Sequence, residues 1–239
     1  LYQDTRRALL EVEAPENAGV VARMLICHVS GKSQAEFLAD RDMYASEKIV
    51  EGVEAALQRL LNDEPIAYVL GQWEFYGLPL KVTPDVLIPR DDTCAVTQLA
   101  IKRALYLDQD PRILDLCTGS GCIGIAVANR VKDARVTLAD ISPEALTVAE
   151  KNVERHQLSG RVTCLQTDAL CAPPEFLGKY DMIVSNPPYI TTQEMLELDP
   201  SVKDHEPHLA LHGGEDGLDF YRAIAKNYAQ ALKPGGYLC

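Results

Sequence analysis

Residues 112 to 140 hold the feature that most restricts the fold. Arg112-Ile113-Leu114-Asp115-Leu116 reads as a buried strand, and Gly119, Gly121 and Gly124 follow as G-x-G-x-x-G. An apolar helix continues over 123–131, and Asp140 closes a second strand over 136–139. Glycines at this spacing let the backbone turn sharply and approach a ligand, and an acid about 20 residues on can accept from ribose hydroxyls. The order strand, glycine turn, helix, strand predicts parallel strands covered by helices, an α/β Rossmann-like domain. Ligands of such sheets bind at the carboxyl ends of the strands.

Two further apolar runs extend the pattern. Val162 to Gln166 is a third strand with Asp168 just beyond it, and Tyr180 to Ser185 is a fourth that runs into Asn186-Pro187-Pro188-Tyr189. Both prolines lack an N–H and have φ held near about −65°. The tetrapeptide therefore presents carbonyl oxygens, to which the Asn186 side chain adds another acceptor. Such a site suits an NH2 group; the plainer reading is a Pro-Pro turn that ends a strand. The nucleoside ligand could be NAD or S-adenosylmethionine. A dehydrogenase needs an acid or base at the hydride site, and no His lies near these strand ends, which counts against hydride transfer.

The flanks organise around this core. Residues 1–72 repeat apolar positions at helical spacing (Ala18, Val21, Ala22, Leu25, Ile26, then Ile49, Val53, Ala56, Leu57, Leu60, Leu61), which predicts a small helical bundle. Ser33 caps a short helix over 34–38, and Ala45-Ser46 opens a longer one ending near Asp63. Segments 74–82 and 86–88, separated by Thr83-Pro84-Asp85, read as a β-hairpin. The expected division is a bundle over 1–72, a hairpin linker over 73–91 and a catalytic domain over 92–239. Ser142-Pro143-Glu144 starts a helix that runs to about His156. Residues 190–217 are long for a connection and rich in acids, Pro and Gly, which fits either a disordered surface loop or an active-site wall; the wall is the better reading because the stretch leaves directly from Tyr189. A helix over 217–232 follows. Tyr237-Leu238-Cys239, after the Lys233-Pro234-Gly235-Gly236 turn, reads as a strand just begun. With no Met at position 1, the expectation is a piece of a longer protein whose sheet continues.

Composition limits the partners. Of 239 residues, 35 are acidic and 23 basic, a formal net charge of −12. General nucleic-acid affinity rests on clustered Lys and Arg, so a protein or small-molecule substrate fits better. The seven cysteines form no C-x-x-C pair and no ligand-like spacing with His, which predicts no metal site and buried thiols in a reducing compartment. No signal peptide, apolar run of membrane length or polybasic tract stands out, and cytosol is the expected location with no membrane partner.

Asp115 with its loop, D-L-C-T-G-S-G, resembles the D-x-x-x-G-x-G loop of S-adenosylmethionine-dependent methyltransferases. The likeness narrows further through Glu64-Pro65-Ile66-Ala67-Tyr68-Val69-Leu70-Gly71, Glu74-Phe75-Tyr76-Gly77, Val86-Leu87-Ile88-Pro89-Arg90, Asp140-Ile141-Ser142, Asn186-Pro187-Pro188-Tyr189-Ile190, His205-Glu206-Pro207 and Gly213-Gly214-Glu215-Asp216-Gly217-Leu218. In that order these segments resemble the protein-(glutamine-N5) methyltransferases that modify peptide chain release factors. The resemblance implies S-adenosylmethionine as cofactor, contacted by Asp115, Cys117, Thr118, Gly119, Ser120, Gly121, Asp140, Ile141, Asp168, Ala169 and Asn186. It implies a release factor as protein substrate, a pocket walled by Leu87, Pro89 and Arg90, and catalysis at Asn186, Pro187, Pro188 and Tyr189. Arg90 reads equally well as the partner of a carboxylate. Two departures stand out. Cys117 occupies a usual Gly position, and Asp91-Asp92-Thr93-Cys94 replaces Pro-Glu-Thr-Glu or Pro-Asp-Thr-Glu. The alternatives are an exocyclic-amine (adenine N6-type) nucleic-acid methyltransferase, which would use the same acceptors, and a noncatalytic adaptor, against which the intact loop, acid and Asn186 argue.

Overall fold

The computed structural model describes residues 1–40 and 43–239, which form two compact units, Leu1–Gly71 with Pro200–His205 and Gln72–Asp199 with Glu206–Cys239. The first contains α1 (Tyr2–Leu9), α2 (Pro15–Ser30), α3 (Gln34–Ala39), α4 (Glu47–Leu61) and α5 (Ile66–Leu70). Its core follows the helical stripes: Ala18, Val21, Ala22 and Leu25 of α2 meet Leu9, Ala56, Leu60 and Val69. Ser33 caps α3 through a reciprocal pair with Glu36, its Oγ accepting from the Glu36 N–H at 3.2 Å while Glu36 Oε2 accepts from the Ser33 N–H at 2.8 Å. Glycines with left-handed φ end α2 (Gly31, +70°) and α5 (Gly71, +66°).

The second unit opens with β1 (Gln72–Phe75) and β2 (Leu78–Lys81), an antiparallel hairpin. This corrects the sequence expectation, which paired 74–82 with 86–88 around Thr83-Pro84-Asp85. The turn is at Tyr76-Gly77, both with positive φ (53° and 76°), the backbone that a two-residue hairpin turn needs to match strand twist. Thr83-Pro84-Asp85 does turn, with the Val86 N–H donating to the Thr83 carbonyl, but 82–90 forms no strand.

After α6 (Thr93–Ala104) come β3 (Arg112–Leu116), α7 (Cys122–Arg130), β4 (Arg135–Asp140), α8 (Pro143–Arg155), β5 (Val162–Gln166), β6 (Tyr180–Ser185), the single turns α9 (Glu194–Glu197) and α10 (Pro200–Lys203, in the first unit), α11 (Asp219–Asn227) and β7 (Leu232–Leu238). The sheet is parallel, in the order β5-β4-β3-β6-β7. Side chains alternate across it. Ile113, Leu138, Met182 and Val184 join Ala100, Ile101, Ile125 and Val153 on one face. Leu114, Leu116, Ala139 and Ile183 join Ile224 and Tyr228 on the other. Burial on both faces explains the near-continuous apolar runs.

Two expectations shift at the carboxyl end. The helix expected over 217–232 stops at Asn227 and becomes a 3-10 turn over Ala229–Ala231. The last strand pairs earlier than Tyr237: Leu232 lies opposite Tyr180 and Tyr237 opposite Met182, so 233–236 is extra chain between consecutive same-face positions of β6. Pro234 and two glycines favour that loss of register.

Close packing of α7 on the sheet requires Gly124, where an added Cβ would lie 2.3 Å from Leu138 Cδ2 and 2.9 Å from Asp115 Oδ2. Gly124→Ala is expected to lower stability by roughly 1–2 kcal/mol despite the better helix propensity of Ala, read as a lower urea midpoint. An unchanged midpoint would show that α7 can back away from β4 freely.

Candidate active site

The strand order reverses between β3 and β6. α7 and β4 carry the chain to one side of β3, while β6 and β7 lie on the other. A crevice opens at such a switch point beyond the carboxyl ends, and there the structure has a cleft of about 860 Å³ counted to its open mouth.

The floor is the loop after β3. Cys117 has φ +58°, a left-handed conformation that costs a residue with a Cβ on the order of 1 kcal/mol or more. Gly119 (+54°) and Gly121 (+83°) complete the turn. Beneath it Asp115 is fully buried, with Oδ2 accepting from Thr118 Oγ1 at 2.6 Å and from the Gly124 N–H at 2.8 Å. Its Oδ1 is buried without a partner among the described residues. Burial pushes the Asp115 carboxyl up to about 7, although both hydrogen bonds pull it down. Burial, reinforced by the Asp140 charge, also raises the Cys117 thiol, so it is a weak nucleophile.

Asp140, at the end of β4, accepts from the Gly119 N–H on Oδ2 (2.8 Å) and from the Ser142 N–H on Oδ1 (3.1 Å). Each oxygen keeps acceptor capacity for a ligand hydroxyl, and burial raises this carboxyl too. Ser142 Oγ caps α8 by accepting from the Ala145 N–H at 3.0 Å, which fixes the chain just past Asp140. Beyond β5, Asp168 Oδ1 accepts from the Leu170 N–H at 2.8 Å, and the Asp168 carbonyl accepts from Tyr228 Oη at 3.2 Å. At the end of β6, Asn186 Nδ2 donates to Thr93 Oγ1 at 3.2 Å.

The far wall comes from segments distant in sequence. Asp85, Val86 and Leu87 line the same cleft as Pro207, Leu209, Ala210 and Phe220. Glu206, 4% exposed, ties the two segments together: Oε2 accepts from the Ile88 N–H at 3.2 Å and Oε1 pairs with Arg90 Nη2. Asn186-Pro187-Pro188-Tyr189 is backed by the 211–217 loop. A Cβ on Gly213 would meet Tyr189 Cα at 2.6 Å and the Pro188 carbonyl at 2.7 Å, and the Ile190 N–H donates to Leu211 at 2.9 Å.

Among the residues singled out from sequence, Leu87, Cys117, Gly119, Asp140, Ile141, Asp168, Ala169, Asn186 and Pro188 line this one cleft. Asp115 lies buried beneath the loop, and Thr118, Ser120 and Gly121 are buried members of it. Pro187 and Pro89 are buried, Tyr189 is 55% exposed, and Arg90 is held by Glu206. The sequence reading held Val86 and Thr93 only as members of motifs, without a role, and passed over Thr167, Leu170 and Phe220. Phe220 carries no local signal, since only tertiary packing brings it here. Glu206 was visible only as part of a motif.

Among the described residues no group of His, Cys, Asp and Glu is arranged to hold a metal ion, and no helix is long and apolar enough to cross a membrane.

The family model described as "Methyltransferase small domain" matches residues 95–201, and that described as "PrmC N-terminal domain" matches 1–71. A release factor glutamine methyltransferase of Geobacter sulfurreducens is 38% identical over 237 residues, covering 98% of this chain and 80% of that protein. One from Bacteroides thetaiotaomicron is 38% identical over 98% of this chain and 82% of its own length, and one from Moorella thermoacetica is 46% identical over 77% and 63%. Among solved structures, the hMettl16 catalytic domain in complex with MAT2A 3′UTR hairpin 6 superposes at a TM-score of 0.51 with 18% identity, covering 66% of this chain and 60% of that one. That likeness shows the Rossmann-like methyltransferase fold alone.

Two outcomes follow from the buried carboxylates. The folded value of Asp115 lies above the unfolded value near about 3.9, so its contribution to stability is full below about pH 4 and is lost as pH rises through about 7. Asp115→Asn cannot ionise, so the stability of the variant relative to wild type should climb between those limits and then level off, as measured by urea unfolding at stepped pH. A flat difference would contradict the assignment. Glu206→Ala leaves the Ile88 N–H without its acceptor and should cost roughly 1–3 kcal/mol, with Glu206→Gln milder because it keeps an acceptor. Equal thermal unfolding of both variants would place the effect elsewhere.

Proposed function

Because the chain belongs to the release factor glutamine methyltransferase family, we propose that its cleft holds S-adenosylmethionine and that Asn186-Pro187-Pro188-Tyr189 receives the glutamine side chain. The protein is a methyltransferase that acts on a release factor glutamine. The reading is finer on four points: the methylated atom is the amide nitrogen (N5), the glutamine lies in a Gly-Gly-Gln motif, the cofactor is S-adenosylmethionine and the compartment is the cytoplasm.

The observation that carries the reading is the convergence of three strand ends on one cleft: Asp140 after β4, Asp168 after β5 and Asn186 after β6. Asp140 has spare lone pairs for ribose hydroxyls while two backbone N–H groups hold it still. Asp168 is placed to meet an adenine amino group. Asp85, Asp140 and Asp168 all border the cleft and favour a cationic ligand. A Cβ built at Gly119 meets nothing within 4 Å, so the loop leaves open space above its backbone. The residues present fit the cofactor, with Cys117 adding a side chain at the floor. When bound, S-adenosylmethionine supplies an electrophilic methyl group on a sulfonium sulfur.

An amide nitrogen is a poor nucleophile because its lone pair is delocalised into the carbonyl. The chain's contribution is to hold the amide by both N–H bonds, one on Asn186 Oδ1 and one on the Pro187 carbonyl. That grip orients the nitrogen and favours the pyramidal form. Alignment of this kind removes several kcal/mol or more of entropic barrier, and acceptors aimed at a nitrogen that gains positive charge add electrostatic stabilisation. No strong base is needed, because the nitrogen becomes acidic as it is alkylated and its proton can leave to water. Tyr189, exposed beside this site, is placed to stack on the planar amide.

The test uses methyl-labelled S-adenosylmethionine with a release factor carrying Gly-Gly-Gln, its Gln-to-Ala variant and duplex DNA. Label is expected on the first substrate alone, and Asn186→Ala should reduce kcat by roughly 10²–10³. Label on DNA would promote the exocyclic-amine alternative. Cofactor binding with no label anywhere would point to an adaptor.

A further inference from the structure

We propose that Thr93 is a positioning residue that sets which end of the Asn186 carboxamide faces the methyl acceptor. The inference rests on the reading of Asn186 as a hydrogen-bond acceptor for the target amide. An Asn side chain has two ends of nearly the same shape and opposite chemistry, Oδ1 accepting and Nδ2 donating. Only the oxygen end can hold a target N–H. With the nitrogen end forward, donor would meet donor and the grip would fail. The side chain therefore has to be held in one of two orientations of equal shape.

Thr93 Oγ1 accepts from Asn186 Nδ2 at 3.2 Å. This occupies the donor end and leaves Oδ1 without a donor among the described residues. The hydroxyl sits where its position is well determined. Thr93 is 6% exposed and begins α6. Its N–H donates to the Arg90 carbonyl at 3.0 Å, and its carbonyl accepts from Thr97 Oγ1 at 2.8 Å. Arg90 is itself paired with the buried carboxylate of Glu206. The contact spans 93 positions in sequence, so it reports how α6 is docked against the end of β6. Of the four residues Asp91 to Cys94, Thr93 is the one whose side chain reaches the acceptor site.

The test compares Thr93→Val, which keeps the shape and removes the hydroxyl, with Thr93→Ser, which keeps the hydroxyl and removes the methyl. Methyl transfer to a release factor carrying Gly-Gly-Gln is measured under saturating conditions, together with the KM for S-adenosylmethionine. Thr93→Val should lose roughly 10- to 100-fold in kcat, the scale of a misoriented contact, with the cofactor KM within about threefold of wild type. Thr93→Ser should return to within about threefold of wild-type kcat, and Thr93→Ala gives the same contrast without valine packing. In an Asn186→Ala background, Thr93→Val should add little further loss, because the orientation it controls no longer exists. Wild-type kcat in Thr93→Val, equal losses in Val and Ser, or fully additive losses with Asn186→Ala would each overturn the proposal. Failure of the wild-type protein to label the release factor would instead sink the reading of the site on which it rests.

Discussion

The parallel pairing of β3 with β6 is the constraint on which the chemistry of the second unit depends. The last register pair is Leu116 with Ser185, and Ser185 Oγ donates to the Leu116 carbonyl at 2.6 Å. One residue later the two chains part. Cys117 turns into a left-handed conformation and begins the glycine loop, while Asn186 leads into two prolines that cannot extend the ladder because they lack an N–H. The crevice between them exists because β4 and β5 lie on one side of this pair and β7 on the other. A shift of one residue in that register would turn the side chains of one strand over relative to the other and separate Asp115 and Asn186 onto opposite faces.

Carboxylates in this unit divide by environment into two kinds. Asp115 and Glu206 are buried and hold backbone: the first ties the glycine loop to α7 through Thr118 and Gly124, the second ties 88–90 to the segment after 205 through Ile88 and Arg90. Asp140 and Asp168 are only partly buried, are fixed by backbone donors and keep lone pairs facing the cleft. Burial raises both Asp115 and Asp140, but Asp115 is sealed beneath the loop whereas Asp140 reaches the cleft. The buried acids thus hold the walls in place, and the partly buried ones line the cleft.

Backbone proximity supports the acceptor tetrapeptide as firmly as side chains do. Gly213 and Gly217 lie so close to Pro188 and Tyr189 that a Cβ at either would fall within 2.6 Å of that backbone. The part of the long 190–217 connection that belongs to the second unit, 206–217, is therefore a wall built against Tyr189, with Leu211 and Gly213 bonded to Ile190. Its Pro207, Leu209 and Ala210 reach the cleft. Length and acidity alone allowed a loose surface loop as well; packing removed that choice.

What the sequence determined by itself was whatever local periodicity and steric rules encode. The strands at Arg112–Leu116, Val162–Gln166 and Tyr180–Ser185, the glycine turn and the Ser33 and Ser142 caps are all legible, the first and last of those strands because burial on two faces demands apolar runs, and the caps because each needs only three neighbouring residues. The hairpin was misplaced because Thr83-Pro84-Asp85 carries a stronger turn composition than Tyr76-Gly77, although only the latter has the positive φ pair that brings strands back together. The beginning of β7 was missed because Leu232 pairs with Tyr180 across a break in register that no local pattern announces. Tertiary structure alone decided that Glu206 reaches Ile88 and Arg90, that Phe220 closes the cleft and that Thr93 holds Asn186. Each of these contacts joins segments far apart in the chain, so its energy is realised only after the sheet has brought their backbones within reach.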